Sequence, residues 1–543
     1  MKNSSKSYDY VIIGGGSAGC VLANRLSANP SHKVCLIEAG PPDTNPFIRI
    51  PMGIIMVLRS KKLNWHYWTT PQHHCNNRNM YCPRGKTLGG SSSINAMCYV
   101  RGNPYDYDEW NQLGNKGWSY QDVLPYFKKL EHFEPGANAY HNLGGPLNVS
   151  TPRYLNPLMN AFVEAGQQAG YAKLTDYNAE NQEGVGYFYV TEKAGQRYSN
   201  ARGYLHPIKK RPNLTLVTNT HATRILFEGK RAIGVRCLHN NSEFDILAQK
   251  EVILSAGSIG SPQLLLLSGV GPRAEIEKHG IALIHDLPGV GENLQDHLDI
   301  HITCLDKTRT STSFRLDSLW RNIVSACKYF WKHDGELTSN YTQAVGFAKT
   351  DPRLPAPDLQ WHFATSMYTD SAQRLKPVFK HYGYLLMTCF LHPKSRGSLR
   401  LNSKNPLDKP LIDFNYLADE SDLEGMVIGF KKAREILSQP AFAPYFLKEF
   451  EPGDLIQTDE QIRQYIRQRA ETIYHPIGTC KMGIDPLAVV DPQQLKVYGL
   501  ENLRVIDASI MPTLPSGNTN TPTTMIAEKG ADLILNSLTN KTN

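Results

Sequence analysis

The 543-residue chain has no apolar run approaching the roughly eighteen residues that a membrane-spanning helix requires; the longest, residues 50–58, is about half that length. An integral membrane protein is thereby excluded. The ten cysteines form no CxxC pair and follow no regular spacing, so they read as reduced thiols used mainly in packing, and no metal site is expected. Net charge is also scarce. The 58 Lys and Arg stand against 50 Asp and Glu and are dispersed, which argues against nucleic acid and leaves a weakly basic surface able to attract anionic lipid. There is no internal repeat, low-complexity tract or Ser/Gly-rich linker. The amino-terminal MKNSSKSYDYVIIGGG carries no apolar leader with a small-residue cleavage site, because the hydrophobic stretch from Tyr10 runs straight into glycines. A cytoplasmic location is the expectation.

What the chain does have is size, with 41% hydrophobic and 20% charged residues, the composition of a soluble protein large enough for a two-lobed enzyme. Residues 8–13 read as a buried strand, 17–27 as a helix and 33–37 as a second strand, a βαβ unit of about thirty residues. Strand signals of the same kind recur at 214–217, 251–255 and 503–506, so an α/β nucleotide domain assembled from separated pieces is the simplest reading. Residues 302–457 differ, with Asp351-Pro352, Pro355, Pro357 and aromatic-rich stretches but no glycine fingerprint. They read as an inserted α+β substrate lobe.

Gly14, Gly16 and Gly19 form GxGxxG, in which one glycine turns the chain, one admits a pyrophosphate and one lets helix and strand pack. Glu38 closes the second strand about twenty residues on, where a carboxylate accepts hydrogen bonds from ribose hydroxyls and repels an NADP phosphate. This motif specifies a dinucleotide without choosing FAD over NAD. A second landmark, Arg84-Gly85-Lys86-Thr87-Leu88-Gly89-Gly90-Ser91-Ser92-Ser93-Ile94-Asn95, is a hydroxyl-rich loop suited to wrap phosphates or lie against a ring system.

This loop resembles the first signature of the glucose–methanol–choline (GMC) oxidoreductase superfamily, and Gly257-Ser258-Ile259-Gly260-Ser261-Pro262 through Ser268-Gly269-Val270-Gly271 resembles the second. The blocks 474–483, 505–509 and 515–520 are similar to the family's carboxy-terminal motifs, so the likeness runs nearly end to end. Within the superfamily the chain resembles bacterial choline-dehydrogenase-like enzymes and, above all, medium-chain alkanol dehydrogenases. The fold implied is a discontinuous Rossmann-like FAD-binding domain (residues 1–155, 211–301 and 465–543) with an inserted α+β substrate-binding domain (156–210 and 302–464). The cofactor implied is FAD, with Gly14, Gly16, Gly19 and Glu38 at its ADP half and Gly90, Asn95, Asp507, Ala508 and Asn520 nearer the flavin. Ser17, Ala18, Ala39, Trp68, Arg84, Leu88, Gly89, Ser91, Ala96, Met97, Ala222, Ala256, Gly257, Asn518, Thr519 and Thr521 complete the expected contacts.

The resemblance makes His475 the base that takes a hydroxyl proton while hydride passes to flavin N5, and Asn518 its partner at the substrate oxygen. A helix beginning at Thr521 and Pro522 would set its positive end behind this pair. Where some relatives attach FAD through a histidine, this chain has Ile94, so the cofactor is expected to be non-covalent. Where relatives commonly carry Glu, it has Gln343, which weakens a choline reading. The expected reaction is oxidation of a primary alcohol, medium-chain aliphatic or aromatic, to the aldehyde with a quinone-type acceptor. Choline dehydrogenase, an oxygen-using alcohol oxidase and an inactive binding protein are the alternatives. Two stretches are candidates for peripheral membrane contact: residues 50–58, followed by Arg59, Lys61 and Lys62, and an amphipathic repeat of Leu316, Leu319, Trp320, Ile323, Val324, Cys327, Phe330 and Trp331 with interspersed Arg315, Arg321, Lys328 and Lys332.

Overall fold

A computed structural model describes residues 6–367 and 376–539. The strand segments read above enter a mixed sheet whose parallel centre, Val34–Ile37 with the ends of Lys6–Ile13 and Ser242–Leu254, is buried on both faces. Its order is Leu214–Val217, Val34–Ile37, Lys6–Ile13, Ser242–Leu254, Arg231–His239, His221–Glu228, with Leu503–Val505 also paired to Ser242–Leu254. The 13-residue strand Ser242–Leu254 does two jobs. Its carboxy-terminal end runs parallel to Lys6–Ile13 and Leu503–Val505, while its amino-terminal half closes an antiparallel meander with Arg231–His239. The helix Ser17–Leu26 follows the first strand through Gly14, whose φ of +102° and approach to Ser255 leave no room for a Cβ.

A second sheet is antiparallel throughout, in the order Phe446–Glu451, Leu298–Asp306, Gly383–Phe390, Leu359–Ala364, Thr342–Ala348, Gly184–Tyr187, with the short strand Glu471–Thr472 added to Leu298–Asp306. Because side chains alternate along a strand, each strand splits its residues between two faces. Leu359, Trp361 and Phe363 lie on the face covered by the helices Pro157–Gln168 and Glu420–Leu437: Phe363 stacks on Phe162, and the helix glycine Gly429 sits against Leu359 and Thr388. The opposite face carries Gln360 and His362. Register then sets Asp299, Cys389 and Gln360 in one row, and His301, Met387 and His362 in the next.

The two apolar candidates for a membrane take opposite fates. Residues 50–58 form a 3-10 turn, Pro51–Gly53, and the short helix Ile54–Leu58, and Val57 and Leu58 pack with Ile48, Leu63 and Ile94. The amphipathic repeat forms the helix Leu319–Lys332 after a turn at Leu316–Ser318, with Leu316 92%, Trp320 75%, Phe330 71% and Trp331 85% exposed. Nine cysteines are buried and Cys327, on this helix, is exposed. Among the described residues no helix is long and apolar enough to cross a membrane.

Candidate active site

One large cavity runs between the two sheets, lined at one end by Gly14, Gly16, Ser17, Ala18, Glu38 and Ala39 and at the other by His475 and Asn518. Arg84, Gly90, Ser91, Asn95, Ala96, Met97, Ala222, Ala256, Gly257, Asp507, Ala508, Thr519 and Asn520 line it between these ends. Its shape and chemistry fit a dinucleotide. A side chain at Gly257 would meet nothing within 4 Å, and one at Gly16 only the Ser255 carbonyl at 3.9 Å, so both glycines keep the cradle wide. The Ser17–Leu26 helix has no side-chain cap and no acid in its first turn, leaving amide N–H groups and the positive helix end for a pyrophosphate. Both Glu38 oxygens accept backbone N–H groups, from Gly15 at 2.9 Å and Gly40 at 2.8 Å, which fixes the carboxylate and leaves each oxygen a second lone pair for a ribose hydroxyl. Burial raises the pKa of Glu38 to about 7.

Five expected contacts do not line the cavity. Trp68 is the outward residue of the two-residue strand Tyr67–Trp68, so alternation turns it to solvent while Tyr67 and the nearby Trp65 face in. Gly19 is spent on packing, since a Cβ there would stand 1.9 Å from the Gly14 carbonyl. Leu88 and Gly89 brace the glycine turn from behind, Gly89 N–H donating to the Gly15 carbonyl at 2.7 Å. Thr521 is buried on the far side of the helix Asn520–Thr539, and Thr523, one turn after Asn520, faces the cavity in its place. The Asn520 amide ties that helix to Ser17 Oγ at 2.7 Å.

At the other end His475 is nearly buried, and its placement is over-determined. Its backbone N–H donates to Asp296 Oδ1 at 2.6 Å, and Asp296 is itself held by Tyr416 Oη and Thr472 Oγ1. The preceding Tyr474 has φ of +72°, a left-handed conformation that costs about 1–2 kcal/mol and aims the histidine inward. Asn518 follows Gly517, at φ of +116°, where a Cβ would collide with Val100. Its Nδ2 lies 3.1 Å from His475 Nε2, and its Oδ1 accepts from Gln360 Nε2 at 3.4 Å. Behind His475, His297 Nδ1 approaches His475 Nδ1 at 3.0 Å and His297 Nε2 approaches the Leu391 carbonyl at 3.0 Å.

Burial, with His297, His362 and Arg84 nearby, pushes the His475 pKa well below the ordinary value, and burial takes His297 to about 3 and His362 to about 4. All three imidazoles are neutral at neutral pH. His362 stacks on Phe188 and lines the cavity, with the Asn518 amide close to its ring. Asp299, paired with His301 at 3.2 Å, and Glu471 also line the cavity, whereas Gln343 turns its amide to the Tyr154 carbonyl and does not. The carboxylates at this site thus come from two paired strands, Leu298–Asp306 and Glu471–Thr472, that the sequence reading passed over. His297, Asp296 and His362 were missed with them; the one visible trace of the first two was the Asp296-His297 pair leading into the alternating strand Leu298–Asp306, and His362 left none. A neutral imidazole whose lone pair faces a cavity beside an amide donor can take a proton from a hydroxyl while the donor steadies the oxygen left behind.

A dinucleotide cradle that ends on such a base defines a class, the flavoprotein oxidoreductases that remove a proton and a hydride from one substrate carbon and its oxygen. The chain belongs to the GMC oxidoreductase family: residues 8–299 match its amino-terminal domain and residues 393–527 its carboxy-terminal domain. It is an FAD enzyme acting on CH–OH donors. It is 50% identical over 531 residues to an alcohol dehydrogenase [acceptor] of Pseudomonas putida, covering 97% of this chain and 96% of that one. It is 45% identical to an oxygen-dependent choline dehydrogenase of Pseudomonas fluorescens, covering 98% and 94%. Among solved structures, a formate oxidase of Aspergillus oryzae RIB40, determined for the effect of a mutation on FAD modification, superposes with a TM-score of 0.91 at 27% identity, covering 98% of each chain.

Proposed function

We propose that the enzyme oxidises a primary alcohol, medium-chain aliphatic or aromatic, to the aldehyde, with His475 as general base and Asn518 as its partner, and delivers the electrons to a quinone-type acceptor at a membrane surface. The observation that carries the reaction is the neutral His475 facing the cavity with Asn518 Nδ2 at 3.1 Å. FAD, when bound between the glycine turn and this pair, supplies the acceptor for the hydride. The substrate oxygen takes a position on the cavity side within hydrogen-bond reach of both Nε2 of His475 and Nδ2 of Asn518. His475 removes the proton and the Asn518 amide donates to the oxygen as negative charge develops there. The first turn of the helix Asn520–Thr539 borders the same space and favours that charge by about 0.3–2 kcal/mol. Ile94, with a hydrocarbon side chain, offers no atom for a covalent flavin bond, which supports dissociable FAD.

Membrane contact is supported by the helix Leu319–Lys332, whose apolar side meets solvent. Lys328, Lys332, Arg309, Lys376 and Lys380 are exposed around that face, which suits it to an anionic bilayer. Just beyond the helix, Leu337 packs with Met52, Ile55 and Tyr341, and the last two line the cavity. An apolar alcohol partitioned into lipid therefore has a hydrocarbon path inward. Choline is a second reading, supported by the carboxylates Asp299 and Glu471 in the cavity wall. One experiment separates these readings: mix the holoenzyme without air with octanol, benzyl alcohol or choline and follow flavin bleaching. Octanol or benzyl alcohol bleaching far faster than choline is expected, and the reverse overturns the assignment. Peroxide released in step with substrate consumed would replace the quinone by oxygen.

A further inference from the structure

We propose that His297 is a positioning residue that holds His475 in the neutral tautomer able to act as a base toward the cavity. The proposal rests on the reading of His475 as that base and follows from hydrogen-bond polarity along one chain of atoms. The Leu391 carbonyl can only accept, so His297 Nε2, 3.0 Å away, carries the hydrogen. A neutral imidazole protonated at Nε2 presents a bare lone pair at Nδ1. That lone pair lies 3.0 Å from His475 Nδ1, so His475 Nδ1 must be the donor. His475 is left with its lone pair at Nε2, the atom that faces Asn518 Nδ2, itself a donor, at 3.1 Å.

Every contact in the series from Asn518 through His475 and His297 to Leu391 is then satisfied in one direction. The other neutral tautomer of His475 would set N–H against the Asn518 amide and lone pair against lone pair at His297. It would also present a proton, not a base, to an alcohol. His297 is fully buried and its ring stands at 89° to that of His475, so no water competes for the shared hydrogen. The charged and titratable groups acting on the pair are Arg84, His362 and His392, with Asp296 bonded to the His475 main chain. None of them contacts His475 Nδ1, so on that side the tautomer is set by His297, and the Asn518 amide at Nε2 favours the same form. When His475 gains the substrate proton, its Nδ1–H can share the new positive charge with the His297 lone pair. A carboxylate in that place would raise the base's pKa, whereas a neutral imidazole orients it without doing so.

The test uses holoenzyme. Selective histidine 15N labelling, with His475→Ala to assign the ring, should show His475 protonated at Nδ1; protonation at Nε2 overturns the proposal. In anaerobic single turnovers His297→Leu, which keeps bulk and loses the acceptor, should slow flavin reduction by up to about 10⁴-fold, the scale of a wrong tautomer. His297→Asn, whose side-chain oxygen can stand near the site of Nδ1, should recover most of that loss. The slowed variant should gain rate as pH rises, because base in solution replaces the missing one, whereas a merely misfolded site would be slow at every pH. His297→Leu within threefold of wild type, or His297→Asn as slow as His297→Leu, also overturns it. His475→Ala distinguishes the two levels: if it reduces flavin normally the base assignment itself fails, and if it is slow while His297→Leu is fast only the positioning role fails.

Discussion

Residues 50–58 and the helix Leu319–Lys332 are comparable as strings of hydrophobic side chains, yet one lines the inside of the protein and the other coats its outside. The difference lies in their polar neighbours. The outward helix carries groups whose partners are inside: Arg321 donates to the carbonyls of Arg309 and Ser311, both at 2.8 Å, and Asn322 to Ser313 at 3.0 Å. Buried polar groups must be bonded, so these contacts pin the polar side inward and turn the hydrocarbon side out. Residues 50–57 present no such side-chain groups, and the segment buries most of its hydrocarbon, with Met56 the exposed exception. A hydrophobic stretch faces the core only when nothing beside it has a stronger claim on the interior.

The sharpest contrast concerns chemistry. His475→Ala, at the end of the inward cavity, should reduce the rate of flavin reduction by alcohol about 10²- to 10⁴-fold, while Trp331→Ser on the outward helix should leave turnover with a soluble dye unchanged. Equal loss in both would mean that the outward helix is part of the reacting core. Stability should divide in the same way. Leu58→Ala removes buried hydrocarbon and should cost about 2–5 kcal/mol in denaturant unfolding, against about 0.5 kcal/mol or less for Phe330→Ala. Lipid reverses the order: Trp320→Ser and Trp331→Ser should each weaken binding to anionic liposomes about tenfold in flotation, and Leu58→Ala should not. If the tryptophan variants float as well as wild type, the exposed face has another purpose.

The smallest effect is in pH. His297 and His362 have folded pKa values lowered to about 3 and about 4, so they add stability that is present above the unfolded value near 6.5 and is lost as pH falls toward those values. Glu38 and Asp296, raised to about 7 and about 6, act in the opposite sense, adding stability at low pH that is lost as pH rises through those values. His297→Asn should therefore flatten the acid side of the thermal-stability profile, and an unchanged acid limb would count against a buried neutral His297.

The parts of this molecule legible in the sequence are those encoded locally. The turn Gly14 to Gly19 with Glu38, and the strands on either side, follow from spacing alone, and the structure differs from that reading only at element ends. Asp507, Ala508 and the His475 and Asn518 pair came from motif likeness and do meet at one cavity. What stayed hidden depends on pairing between distant strands. His362, Asp299 and Met387 become neighbours only through the register of Leu298–Asp306, Gly383–Phe390 and Leu359–Ala364, which no window of sequence contains. Trp68 was lost to a one-residue matter of parity, since the same short strand offers Tyr67 to the cavity and Trp68 to water. The direction of the Leu319–Lys332 helix was unreadable because periodicity gives two faces without saying which is up.

The distribution of thiols has a practical consequence. With nine sulfhydryls shut away and Cys327 alone in the open on the outward helix, a polarity-sensitive fluorophore coupled under native conditions reports from a single place, with no engineering of the chain. Its emission would register, in one titration, whether that flank of the enzyme leaves water when vesicles are added.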